Sequence, residues 1–235
     1  PMNREFQTGL TASVLVLLTV AAVVFAGYNY KVESQYVIPD DGVWWLEHNG
    51  RLVADKLDPN GAGARAGIRS GDAVVSLNGR KVENAAELAR QRFYSGVWSK
   101  ATYSLVRGAV PVDVQVVLVP DDRSPNDWLR LIALIYLGIG LYVLLRRWTA
   151  VGSTHFYVFC LVSFVFYSFH YTGKFNEFDW TIYWCNEVAW LLQAALFLHF
   201  ALTFPERRGF VARHPRSVAL LYMPGLALLS VHFAA

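Results

Sequence analysis

The chain has 235 residues, of which 54% are hydrophobic, 15% aromatic and only 17% charged, against about a quarter charged in a typical soluble domain. With a mean hydropathy of +0.30, that balance excludes a single soluble globule and a disordered chain. Two cysteines exclude a disulfide framework, and a formal net charge of +3 gives no compositional reason to expect nucleic acid as a partner.

Residues 10–27 read LTASVLVLLTVAAVVFAG, without a charge. At about 1.5 Å per residue they cover about 27 Å, close to the hydrocarbon core of a bilayer. The run exceeds the apolar region of a cleaved signal peptide, and Tyr28 and Tyr30 beyond it suit an interfacial anchor. Residues 1–30 are therefore expected to form an uncleaved N-terminal transmembrane helix.

Residues 31–123 differ in kind, with charges throughout and short alternating apolar runs. Residues 43–46 and 51–57 read as strands around the hairpin signal His48-Asn49-Gly50. Residues 73–77 form another strand, closed by Asn78-Gly79. Asn84, with Glu87 three residues on, starts a helix over 85–92. Residues 102–107 and 112–119 pair around Gly108. Strands with one good helix predict an extracytoplasmic α+β domain, a small, partly open β-barrel.

Within it, Ala66-Gly67-Ile68, Gly71-Asp72 and Asn78-Gly79 stand at a specific spacing, and residues 36–120 resemble a bacterial PDZ domain. The family usually has Ser-Pro where this chain has Gly61-Ala62, a departure that loosens the loop before the short helix. The resemblance implies binding of a peptide or protein C-terminus as an added strand. By the same resemblance the carboxylate-holding loop is Asp41-Gly42-Val43-Trp44, the strand runs on to Leu46, and Ala85, Leu88 and Arg92 stand on the helix wall. Asp41 puts a carboxylate beside a carboxylate site, and one ring of Trp44-Trp45 is placed to fill the groove. Peptide binding, and a fold used only for packing or dimer contacts, both stay open.

Residues 124–235 read as a transmembrane helical bundle, with spans at about 128–145, 151–172, 180–204 and 217–235. Ser124-Pro125-Asn126-Asp127 is a helix start with a Ser cap, and Asp179 is placed to cap the fourth span of the chain. Arg146, Arg147, Arg207, Arg208, Arg213 and Arg216 fall in two links that five alternating spans put on one side. The positive-inside rule makes that side the cytoplasm. The N-terminus is then cytoplasmic and the soluble domain periplasmic, in a bacterial inner membrane. Trp128, Trp148, Trp180 and Trp184 suit an interfacial belt. Pro1 precedes Met2, and Ala235 lies inside an apolar run, so the chain reads as part of a longer protein.

Ionisable residues inside spans are site candidates by default. His170, Glu187 and His232 are expected at one depth near the outer side, as a proton-sensing or ligand-binding cluster or as inter-helix hydrogen bonds aided by Asn186 and Gln193. His199 and Cys160 are too few for a metal site. His170 and His199 stand at opposite depths, which argues against a haem between them. Cys160 and Cys185 do so too, which argues against a disulfide. The aromatic run 156–171 is read as lipid-facing and packing surface. No His-Glu-x-x-His, Gly-x-Ser-x-Gly or Gly-x-x-x-x-Gly-Lys pattern occurs, so no catalytic residue, metal or cofactor is expected.

Residues 197–208, Phe-Leu-His-Phe-Ala-Leu-Thr-Phe-Pro-Glu-Arg-Arg, are similar to the membrane sensor regions of bacterial signalling proteins. That resemblance implies the input region of a histidine kinase, or less often of a serine phosphatase or cyclase, with a homodimer as a possible assembly. The alternatives are a membrane-anchored PDZ adaptor of an envelope protease and an intramembrane enzyme or carrier using Glu187, His170 and His199.

Overall fold

The computed structural model describes residues 4–147, 150, 152–173, 176–206 and 209–234. Trp148, Arg207 and Arg208, used in the topology argument, lie outside the described residues, as do Val151 and Ala235 at the ends of expected spans. The chain divides into two compact units, one of residues 1–31, 123–171 and 180–235, the other of 32–122 and 172–179.

Helix α1 (Arg4–Ser34) contains Gly9–Ser34, long and apolar enough to cross a membrane. The soluble unit then runs β1 (Pro39–Asp40), β2 (Val43–His48), β3 (Arg51–Leu57), α2 (Ala62–Ala66), β4 (Ala73–Leu77), β5 (Arg80–Lys81), α3 (Ala85–Ser95), β6 (Lys100–Arg107), β7 (Val110–Val117) and β8 (Val119–Pro120). The sheet order is β2-β3-β4-β6-β7, with β5 on β4 and a separate β1–β8 pair. Asn49-Gly50 and Asn78-Gly79 all take positive φ, the conformation a two-residue hairpin turn of type I′ requires. Period-two burial builds the core. Ala101, Tyr103 and Leu105 of β6 point inward with Leu52 and Ala54 of β3, and Leu88 of α3 covers them. Burying each large side chain stabilises by about 1.5–3 kcal/mol.

One ion pair ties the rear of this sheet. Arg107 donates from Nε and Nη2 to the two oxygens of Asp72 at 2.8 and 2.7 Å, and Asp72 also accepts from the Arg69 N–H. The Arg107 hydrogen bond is the chief cause holding the Asp72 carboxyl below its usual range. A carboxyl depressed by folding stabilises above its unfolded pKa of about 3.9 and loses that contribution as pH falls through its folded value. Asp72→Asn is expected to lower the melting temperature at pH 7 by several degrees and to flatten the acid limb between about pH 5 and pH 3, read by circular dichroism.

The membrane unit continues with α4 (Ser124–Arg146), α5 (Ser153–Ser168), α6 (Glu177–Thr203), α7 (Gly209–Arg213), a 3-10 segment (Pro215–Leu221) and α8 (Met223–Ala234). Ser124–Arg146, Glu177–Thr203 and Arg216–Ala234 are also long and apolar enough to span. The expected span at 151–172 is instead a helix of 16 residues, about 24 Å, short of the roughly 20 residues a span needs. Its early end has a cause. Phe169 leaves the helix with extended backbone, and side chains of neighbouring helices take up the released groups. The Asn29 amide of α1 bonds both the N–H and the C=O of His170 (3.0 and 2.7 Å), and Asn186 of α6 donates to the Phe169 carbonyl at 2.7 Å.

Two expected caps also differ. Asn176, not Asp179, caps α6, accepting from the Asp179 N–H at 3.0 Å. Asp179 instead accepts from the N–H and hydroxyl of Thr172. Helix α4 begins at Ser124, with Arg123 in the cap position and no side-chain cap.

Helix α4 buries Ala133, Leu137, Gly140 and Leu144, a stripe at spacings of four, three and four that recurs on one helical face. It packs on α5 around Tyr157, Leu161 and Phe164. A Cβ on Gly140 would stand 2.6 Å from Cys160 Cβ, so the absent side chain permits the close approach that small residues give membrane helices. The aromatic run of α5 is accordingly packing surface at its centre, with Tyr157 and Phe164 buried. Gly140→Val is expected to separate α4 from α5 at a cost of about 2–3 kcal/mol, read as a lower melting temperature in detergent.

Candidate functional site

Strand β2 is an edge. It pairs with β3 on one side, and α3 stands beside the other. Two side-chain bonds join β2 or its loop to α3. At the start of α3, the Ala85 N–H donates to Glu47 Oε1 at 3.1 Å, while Asn84 Oδ1 accepts from the Glu87 N–H. Seven residues on, Arg92 Nη1 reaches Asp41 Oδ1 at 2.7 Å. The two bonds bracket the side of β2 away from β3, where the resemblance places the groove.

Asp41 is fully buried. Its Oδ1 accepts from the Val43 N–H at 3.1 Å and from Arg92, and its Oδ2 accepts from Trp45 Nε1 at 3.0 Å and the Tyr103 hydroxyl at 2.6 Å. Four donors, two from β2 and one each from α3 and β6, thus converge on one carboxylate, and a buried charge requires this degree of pairing. Burial, the largest single cause, would lower the Arg92 guanidinium, but Asp41, Tyr103 and Asp40 together raise it. Burial, then the Asp41 charge, pushes the Tyr103 hydroxyl well above its usual range. Asp40, 3.7 Å from Arg92, has its carboxyl raised, chiefly by burial.

The loop itself is held from below by α2. The Gly63 N–H donates to the Asp41 carbonyl at 2.6 Å and the Asp58 N–H to the Gly42 carbonyl at 2.9 Å. Gly42 has φ +69°, and a Cβ there would lie 2.8 Å from Gly61 Cα. Gly61 and Ala62 are both buried. The loop that the missing Ser-Pro was expected to loosen is thus tightly packed, because two glycines let the backbones touch.

The expected groove residues divide by role. Gly42 is a buried loop residue and Val43 the buried first residue of β2, while Trp44 and Leu46 are exposed on β2, at 59% and 56%. Ala85 is exposed at the start of α3, Leu88 is buried in the core beneath it, and Arg92 is half-buried. Asp41 is not presented to the groove as a free charge. Of the two rings, one of which was expected to fill the groove, Trp45 turns inward and stacks on Tyr103 with centroids 6.0 Å apart, and Trp44 stays exposed. Sequence reasoning missed Tyr103, Glu47 and Gly63. The glycine-rich 61–67 stretch was the available signal for the last. Nothing local marks Tyr103 as a partner of Asp41, 62 positions away.

In the membrane unit, Glu187 and His232 line one cavity of about 300 Å³ with Trp190 and Leu228, and His232 also bonds the Tyr183 hydroxyl. His170 does not line it. Its backbone is bound to Asn29. Of the three residues expected as a cluster, Glu187 and His232 thus share a cavity and His170 is held separately. His155, not singled out from sequence, lies with its ring centroid 4.3 Å from that of His199. No group of three or more metal-ligating side chains occurs among the described residues.

The family model described as PDZ domain matches residues 38–102. The periplasmic serine endoprotease DegP of Escherichia coli (strain K12) is 36% identical over 78 residues, covering 33% of this chain and 16% of that protein. A probable periplasmic serine endoprotease DegP-like of Bartonella henselae is 28% identical over 89 residues, covering 37% and 17%. The chain therefore spans about a sixth of the length of these relatives. Among solved structures, the HtrA-type protease AlgW with decapeptide matches at 14% identity and a TM-score of 0.34, covering 37% of this chain and 30% of that one. The HtrA3 PDZ domain bound to a phage-derived ligand, FGRWV, matches at 18% and 0.31, covering 35% and 86%. The soluble unit carries a PDZ domain, a peptide-binding fold related to those of DegP-type proteases, in a chain with four long apolar helices among its described residues.

Proposed function

We propose that this chain is the membrane-embedded input region of a bacterial signalling protein, a histidine kinase in the first instance, whose periplasmic PDZ domain captures extended peptide or unfolded-protein segments. The observation that carries this reading is an exposed edge strand, β2, beside α3, in a domain joined to spanning helices on both sides by short linkers, residues 35–38 and 121–123. A strand added at that edge gains main-chain hydrogen bonds. The short linkers leave little slack to absorb a change of state. Within the soluble unit, Gly173 of the segment before α6 also packs directly on Ile38 beside β1, a second route from the domain to a helix. Binding biases two states of the bundle only to the extent that the segment prefers one of them.

The likeness to DegP-type PDZ domains favours one alternative, a membrane-anchored adaptor that shares ligands with an envelope protease. One experiment separates the two. The full-length protein is reconstituted in nanodiscs, and autophosphorylation from ATP is followed with and without a peptide selected on the same preparation. Peptide-dependent phosphorylation supports the kinase reading. Peptide binding without any phosphoryl transfer sinks it and leaves the adaptor.

A further inference from the structure

The loop end of the groove is occupied by the chain's own charges. We propose that this PDZ domain takes the interior of an extended segment, with no free carboxylate at the loop, rather than a peptide's terminal carboxylate. The inference rests on the peptide-binding reading and narrows its ligand.

A terminal carboxylate needs loop N–H donors and, where available, a cation. Here the Val43 N–H already donates to Asp41 Oδ1. Arg92, the cation on the adjoining helix wall, gives Nη1 to the same oxygen and lies 3.7 Å from Asp40. The loop thus holds its own carboxylate where it would hold a ligand's. Two acids against one base leave this end net negative, and an incoming terminus would add a third negative charge to a partly buried site, the arrangement electrostatics penalises most.

The pair is not a loose lid that a ligand swings aside. Asp41 is also fixed by Trp45 and Tyr103, so freeing Arg92 would leave a buried charge short of a partner. An interior segment avoids the conflict. It brings neutral peptide groups to the edge of β2, and Trp44 and Leu46, exposed at alternate positions, favour apolar side chains two residues apart on the incoming strand.

The test uses the full chain in nanodiscs and two random-peptide phage libraries, one displayed with free C-termini and one inserted within the coat protein. Selected sequences, and FGRWV as a fixed probe, are compared as free acid and C-terminal amide by fluorescence anisotropy. The expected result is enrichment from the internal library, with acid and amide within about threefold of each other. Enrichment confined to free C-termini, with a loss of about tenfold or more on amidation, overturns the proposal while leaving peptide binding intact. Failure of both libraries to enrich removes the peptide-binding reading, and this inference with it. The variant Asp41→Asn keeps a hydrogen-bonding group, leaves Arg92 to balance Asp40 alone, and is expected to bring the acid up to or above the amide. If circular dichroism shows that variant unfolded, the wild-type comparison alone decides.

Discussion

Replacing Arg92 with leucine is expected to destabilise the PDZ domain by about 3–5 kcal/mol, the cost of leaving one partner of a buried pair behind. Asp41 is fully buried, and Arg92 is the one cation among its four donors. The remaining Val43, Trp45 and Tyr103 bonds are neutral and cannot balance its charge. Since a whole domain is held by only about 5–15 kcal/mol, Arg92→Leu brings the fold near its threshold. The double variant Asp41→Leu, Arg92→Leu removes both charges and is expected to recover most of the loss, because an apolar replacement of a buried pair is often neutral. Urea unfolding of the four corners of this cycle, read through near-ultraviolet circular dichroism, gives the coupling directly. A double variant as unstable as the sum of the singles would mean that the pair is not what holds the loop to α3.

The same pair explains the limits of the sequence reading. The hairpins at Asn49-Gly50 and Asn78-Gly79 and the helix start at Asn84 are local signals, each written within four residues, and the structure has them where the residues put them. The PDZ resemblance rested on Ala66-Gly67-Ile68, Gly71-Asp72 and Asn78-Gly79, which serve tight backbone passages. It placed the groove but did not describe its interior. Whether Asp41 repels a ligand or is silenced depends on Tyr103 and Arg92, brought to it only by tertiary folding. Residues read as groove wall therefore divided into exposed (Trp44, Leu46, Ala85) and buried (Asp41, Leu88). In the membrane unit hydropathy found the long helices, since length and composition suffice for that. It overran α5, because an apolar run does not say where its helix stops.

What stops α5 is an amide from another helix, and its removal should be the most damaging change in the membrane unit. Asn29 is fully buried, and its side chain bonds both backbone groups of His170. Asn29→Leu keeps roughly the same volume but strands an N–H and a C=O just past the helix end. Each such group costs several kcal/mol where water is excluded, so a loss of about 3–5 kcal/mol is expected even after relaxation. Asn29→Gln, which retains the amide on a longer stem, should recover part of it. Asn186→Leu, which strands only the Phe169 carbonyl, should cost about half as much. The measurement is a melting curve of the detergent-solubilised chain, followed by labelling of buried Cys160 with a thiol reagent. An Asn29→Leu protein that melts with wild type and protects Cys160 equally would show that the bundle resatisfies those groups elsewhere, for instance by extending α5 toward the length its apolar sequence suggests.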